Sequence, residues 1–192
     1  MISKAKSTDQ VSGSVQKSPG YADGAAGGGV FTVSCYDSEG NLKWETQAKN
    51  LVTNQGLQDM NTKYFTGVVY NAAWYIGLVD NAGFTAYAAG DTLASHAGWN
   101  ENVGYSGGNR GTASFGSATA ADPSVISNSA SQASFSITGT ATIRGAFLTN
   151  IQNNTVNSGL LFSVADFEAP GSRAVVSGDT LNVRYDFSLS DA

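Results

Sequence analysis

Residues 181–189 alternate without a break: Leu181, Val183, Tyr185, Phe187 and Leu189 fall on one side, and Asn182, Arg184, Asp186 and Ser188 on the other. Successive side chains of an extended strand point to opposite faces, so this stretch predicts a strand with one dry and one wet face. A dry face has to be covered by a second layer. The same period recurs near the start of the chain, where Phe31, Val33 and Cys35 alternate with Thr32 and Ser34. Residues 37–41 (DSEGN) then read as a turn, with Gly40 and Asn41 supplying positive-φ positions, and LKWET as the returning strand of a hairpin. Further strands are expected over 73–79, 111–115, 133–137, 141–148, 160–167 and 180–189, separated by Gly, Asn, Asp and Ser turns. About eight strands with such punctuation predict an all-β chain: a single antiparallel β-sandwich or barrel-like domain over residues 30–192.

One short helix interrupts this pattern. Residues 54–65 carry Leu57, Met60, Tyr64 and Phe65 near helical spacing, with Thr53 or Asn54 as N-cap, although Gly56 in the first turn weakens helix propensity. Residues 1–29 hold few large apolar groups and end in GAAGGG, so they are expected to form a flexible arm with a jointed end. In that arm Lys4, Lys6 and Lys17 outnumber Asp9 and Asp23, and together with Tyr21 they are the candidates for contact with a neighbouring molecule.

Charge and cysteine content narrow the function classes. Only 13% of residues are charged, about half the usual share, and the net charge is -5 with no basic cluster. Nucleic-acid affinity rests on clustered Lys and Arg, so no nucleic-acid partner is expected. The one cysteine, Cys35, excludes an intramolecular disulfide and a cysteine-based zinc cage, and reads as a small buried apolar residue. No run approaches the ~18 apolar residues of a membrane span, and the N-terminus lacks a signal-peptide core. No membrane partner is therefore expected, and synthesis is assigned to the cytosol.

The stretch from Trp74 to Arg110 holds the one histidine and two of the three tryptophans. A hydrolytic triad would have to use His96 as its base, yet no G-x-S-x-G elbow surrounds any serine. Metal ligation would fall mostly on carboxylates, the calcium-loop spacing is absent at Asp80, and GAAGGG lacks the Lys and Ser or Thr of a phosphate-binding loop. No catalytic residue, metal or cofactor is assigned. Asp91, Glu101 and Asp80 could supply paired carboxylates, and the aromatics Trp74, Tyr75, Phe84, Tyr87, Trp99 and Tyr105 a sugar platform. The reading preferred is architectural: a self-packed loop in which Asp91 caps a local turn, Glu101 pairs with Arg110, and Trp99 and His96 shape a subunit contact.

Five segments taken in order carry a resemblance: FTVSCYDSEGNLKWETQAKNLVTNQGL, WYIGLVDN, AAGDTLASHAGWNE, SNSASQASFSITGTATIRGAFLT and GDTLNVRYDFSL. Together they resemble a group of small structural proteins of tailed bacteriophages, several of them head decoration or cement proteins. The resemblance spans residues 31–189. It implies a β-rich, non-catalytic subunit on the outer head surface of the virion, made in the host cytoplasm. The major capsid protein would be its partner, with self-association as a dimer or trimer. A tail, collar or fibre component, or a host-glycan-binding attachment module, is the alternative.

Overall fold

The computed structural model describes residues 25–70 and 73–191. The candidate arm contacts Lys4, Lys6, Lys17 and Tyr21 lie outside them. The first hairpin joins β1 (Ala25–Tyr36) to β2 (Leu42–Val52). Its turn is held by Asp37, whose Oδ1 accepts from the Glu39 and Asn41 amides at 2.9 and 2.8 Å. Gly40 takes the positive φ of 86° alone. Asn41 does not share it, since no non-glycine residue among those described has φ above zero.

The alternating C-terminal stretch is β11 (Thr180–Asp191), which pairs antiparallel with all of β1, from Ala25–Asp191 to Tyr36–Thr180. The sheet therefore begins five residues before Val30, inside the glycine run expected to be a joint. The reason is steric. A Cβ on Gly29 would meet Tyr185 Oη at 2.5 Å. The bare backbone instead lets the Tyr185 ring lie across the strand, while Asn50 accepts from the Gly29 amide at 2.6 Å and donates to Tyr185 Oη at 2.7 Å.

The second layer is built on β3 (Tyr75–Asp80), β8 (Ala141–Thr149) and β9 (Leu161–Asp166). Residues 50–52 of β2 leave β1 and pair with β9, so one bent strand carries the hydrogen bonding from one layer into the other. Short strands complete the edges: β4 (Asn100–Asn102) and β5 (Gly111–Thr112) on β3, β10 (Arg173–Val175) on β8, and β6 (Ser124–Ser127) and β7 (Ala133–Ser136) on β11. The path runs β4-β3-β8-β9-β2-β1-β11-β6, giving a folded antiparallel sheet of sandwich form that does not close into a barrel. Its two rims touch at an isolated bridge between Tyr105 and Ile137. The strand expected over 111–115 shrinks to two residues, and one further bond in the same register, from the Ala113 amide to the Trp74 carbonyl at 2.9 Å, extends its pairing with the start of β3.

Between the layers lie Phe31, Val33 and Cys35 from β1, Leu181, Val183 and Tyr185 from β11, Ile76 and Leu78 from β3, and Ala146 and Leu148 from β8. Cys35 is fully buried and free, as its size and polarity predict. A second cluster occupies the outer face of the second layer, where Val79, Phe147, Leu161 and Val164 are covered by Leu93 and Trp99. Burial on both faces explains why β3 and β8 read as continuous apolar runs rather than alternating ones.

Helix α1 (Asn54–Phe65) has the predicted span, with Thr53 as N-cap accepting from the Gly56 amide at 3.1 Å. Thr53 Oγ1 also donates to the Leu161 carbonyl, which anchors the helix start to β9. Gly56 costs about 1 kcal/mol of propensity relative to Ala. It is needed nonetheless, because a Cβ there would overlap the Phe162 carbonyl. Only Met60 of the helical apolar set packs against the main core. Leu57, Tyr64 and Phe65 face solvent, with 84% of Tyr64 and 77% of Phe65 exposed, so most of the set at helical spacing points outward.

Candidate functional site

Residues 81–110 form a lid across the outer face of the second layer. Its first half is closed by Asp91, a buried carboxylate whose Oδ2 accepts from the Ala88 amide at 3.0 Å and from Trp99 Nε1 at 2.9 Å. Asp91 thus reaches three residues back and eight forward, rather than capping the turn two residues on. Both of its contacts are charge-assisted, which makes them stronger than neutral pairs. They hold the Trp99 indole, 1% exposed, against Phe147 at a ring separation of 5.3 Å.

His96 stacks on Trp99 at 3.9 Å and 21°, and its Nδ1 lies 2.9 Å from the Trp99 carbonyl. A carbonyl only accepts, so Nδ1 carries the proton and donates. Neighbouring Thr92 and Ser95 close a tight turn on themselves through amide–carbonyl bonds of 2.9 and 3.1 Å. Ser95 Oγ makes no side-chain bond to His96 among the described residues.

The second half of the lid is fixed by Glu101 on β4 and Arg110 just before β5. Arg110 is 3% exposed and grips Glu101 through both carboxylate oxygens, Nε to Oε1 at 2.9 Å and Nη2 to Oε2 at 2.6 Å. Its Nη1 donates to the carbonyls of Ile151, Asn153 and Val156 at 3.0, 3.1 and 3.4 Å, and its amide to that of Gln152 at 2.8 Å. The guanidinium therefore ties the lid to the connection between β8 and β9 as well as to Glu101. Burial pushes the Glu101 carboxyl up from its usual range, and the Arg110 guanidinium opposes that shift. Burial likewise raises the Tyr105 phenol to about 12.

Five sequence candidates thus fall into two linked groups, Asp91–His96–Trp99 and Glu101–Arg110, joined through Phe147, which the Trp99 ring touches and the Arg110 guanidinium overlies at 5.4 Å. Asp91 Oδ2, His96 Nδ1, Trp99 Nε1, both Glu101 oxygens and all three Arg110 guanidinium nitrogens have protein partners. Of the aromatics considered as a sugar platform, Trp99 and Tyr105 are buried, Phe84 packs edge-on to Tyr87 at 4.9 Å, and Trp74 and Tyr75 are half-buried. Among the described residues no cluster of three or more His, Cys, Asp or Glu side chains is placed to hold a metal ion. Among the described residues no helix is long and apolar enough to cross a membrane. A shallow polar depression lies elsewhere, beside Glu45, Gln47 and Arg173. There Arg173 Nη2 is directed at Thr46 Oγ1 and the carbonyls of Glu168 and Ala169 at 3.2, 3.4 and 3.3 Å.

The surface feature absent from the sequence reading is the end of α1 and the residues after it, where Tyr64, Phe65, Val68, Val69 and Tyr70 are all exposed. Its signal was available: two adjacent aromatics followed by Thr-Gly-Val-Val-Tyr, with no charged residue between Lys63 and Asp80. Comparison with protein-family models, curated proteins and solved structures finds no match for the chain in any of the three.

Proposed function

We propose that the protein is a non-catalytic structural subunit of a tailed-bacteriophage particle, a decoration or cement protein that binds the outer surface of the head lattice and stabilises it. The observation that carries this reading is the fate of the 81–110 lid. Its carboxylates, guanidinium, histidine and aromatics, the groups from which a site would be made, bond and pack inward. What remains to interact is surface.

The segments behind the resemblance also act together: WYIGLVDN supplies β3, AAGDTLASHAGWNE the lid with its Asp91–Trp99 closure, and GDTLNVRYDFSL the strand β11 that pairs with β1. Repetition over a lattice multiplies weak surface contacts, so no deep pocket is required of such a subunit. The major capsid protein is the partner in this proposal, and the virion the location.

The test is to mix purified protein with expanded heads lacking it, then pellet and heat them. Binding in hundreds of copies with a raised temperature of head disruption is the expected result, and failure to co-sediment refutes it. Removal of residues 1–29 would delete part of β1, so the arm is tested by removing residues 1–24. Heads bound and protected equally well by that truncation would exclude the arm as anchor.

A further inference from the structure

Six of the eleven exposed large hydrophobic residues of the described chain lie between positions 57 and 70: Leu57, Tyr64, Phe65, Val68, Val69 and Tyr70. They are close in sequence, and two side-chain contacts link parts of the set. Tyr64 packs edge-on to Phe65 at 4.9 Å, and Lys63 Nζ sits 5.7 Å above the Tyr70 ring, joining the last helical turn to the segment after it. Trp74 Nε1 in turn donates to Tyr70 Oη at 2.5 Å, which fixes that ring in place. We propose that this surface is a self-association interface, in which α1 packs antiparallel on α1 of a second copy about a two-fold axis near Asn61.

Three observations select a second copy as occupant. The first is area. Tyr64 and Phe65 alone, each mostly exposed, offer ~300 Å², and the four aliphatic and phenolic neighbours bring the patch toward the ~800 Å² per partner of a stable dimer. Apolar patches on monomers seldom exceed ~300–600 Å².

The second is self-complementarity along the helix. The exposed stripe is Asn54, Leu57, Asn61 and Tyr64, at helical spacing. A two-fold axis at Asn61 pairs the two Asn61 amides and lays Leu57 of one copy, four residues before the axis, against the exposed Phe65 of the other, four residues after it, with Tyr64 alongside, as an isologous contact demands. The third is charge. Each copy carries -5, which would oppose a charged contact between copies. Here Asp59 and Lys63 lie on the helix flank at i and i+4, so the exposed stripe itself is uncharged. This interface needs no capsid, and its test is independent of the lattice proposal.

The full chain is expected to sediment at twice its 19.8 kDa mass at tens of micromolar. A Tyr64→Ser, Phe65→Ser variant should sediment as monomer, its dissociation constant raised at least ~100-fold, as loss of paired aromatic hot spots predicts. Its far-UV circular dichroism should match the parent. Because Cys35 is buried, an Asn61→Cys variant carries one reactive thiol, and mild oxidation should link it into dimers, while Ser117→Cys on exposed surface should not link. A monomeric parent at 100 µM overturns the proposal, as does a dimer indifferent to the double substitution. So does a monomer that dimerises only after removal of residues 1–24, since the patch would then be covered by the chain's own N-terminal segment.

Discussion

The lid over the second layer and the end of α1 each gather large apolar side chains, but the lid consumes its own and the helix presents its own to solvent. The lid's largest ring has a polar closer, since Asp91 receives the Trp99 indole N–H, and Arg110 lies over Phe147 of β8 beneath the lid while gripping Glu101. At the helix end only Tyr70 is tied down, by Trp74. The aromatic content of a loop therefore does not indicate exposure. A buried carboxylate or guanidinium within a few residues of the aromatics marks a loop that folds on itself, and its absence marks a surface.

The largest way to break this contrast is to remove the lid's strongest closer. Arg110→Ala strands the largely covered Glu101 carboxylate without its partner and frees the Ile151, Asn153 and Val156 carbonyls. Breaking one partner of a buried ion pair costs about 3–5 kcal/mol. At ~2–4 °C per kcal/mol for a domain of this size, the melting temperature should fall by roughly 10 °C. An unchanged melting temperature would mean that the lid is held by its apolar contacts alone. Arg110→Lys keeps the charge but not the fork, and should fall between the two.

Alkaline titration separates buried from exposed chemistry more gently. Burial is the leading cause that raises Cys35 from 9.0 to about 12, and Tyr105 from 10.0 to about 12. Burial also drives Tyr87 and Tyr185 upward. The folded chain keeps these protons where the unfolded chain has released them. Stability from these groups is thus complete below pH 9 and declines as pH rises toward 12, by at most ~1.4 kcal/mol per pH unit for each group. Urea midpoints measured from pH 8 to 11 should fall steadily above 9. A flat profile would show that these groups ionise in place.

Trp99→Phe is the next step down. It retains most of the ring but takes the N–H from Asp91, whose Oδ2 is then left with the Ala88 amide. A hydrogen bond to a charged group contributes about 1.5–3 kcal/mol, and the urea midpoint should drop accordingly.

Much of the fold could be read ahead because local signals agreed with the tertiary result. Strand β11, the first hairpin and the span of α1 follow from period and capping, and the Glu101–Arg110 pair from opposite charge at the loop's ends. The misses have physical causes. Strand β4 is Asn-Glu-Asn, with no apolar period, and owes its conformation to pairing with β3. Strand β6 is half-buried throughout, so it carries no alternation. The glycines at 27–29 look like a joint by composition, whereas at Gly29 the requirement is room for Tyr185, a residue more than 150 positions away. The helix shows the reverse case, in which spacing gives the element but not the face it buries. Leu57, Tyr64 and Phe65 have the spacing of a core stripe, but β9 accepts the helix through backbone contacts at Gly56 and Thr53, leaving the stripe outside.

That last point sets the smallest expected effect. If the stripe contributes nothing to the fold of a single copy, replacing Tyr64 and Phe65 by Ser should leave the stability of the monomer within about 0.5 kcal/mol per site, as for surface positions generally. The measurement has to be made at a protein concentration low enough to keep copies apart, because association would add its own concentration-dependent stabilisation. Urea unfolding of parent and variant at that dilution should coincide in midpoint and slope. A loss of 2 kcal/mol or more would place the two rings in the fold of their own chain, and would put the helix end in the same class as the lid.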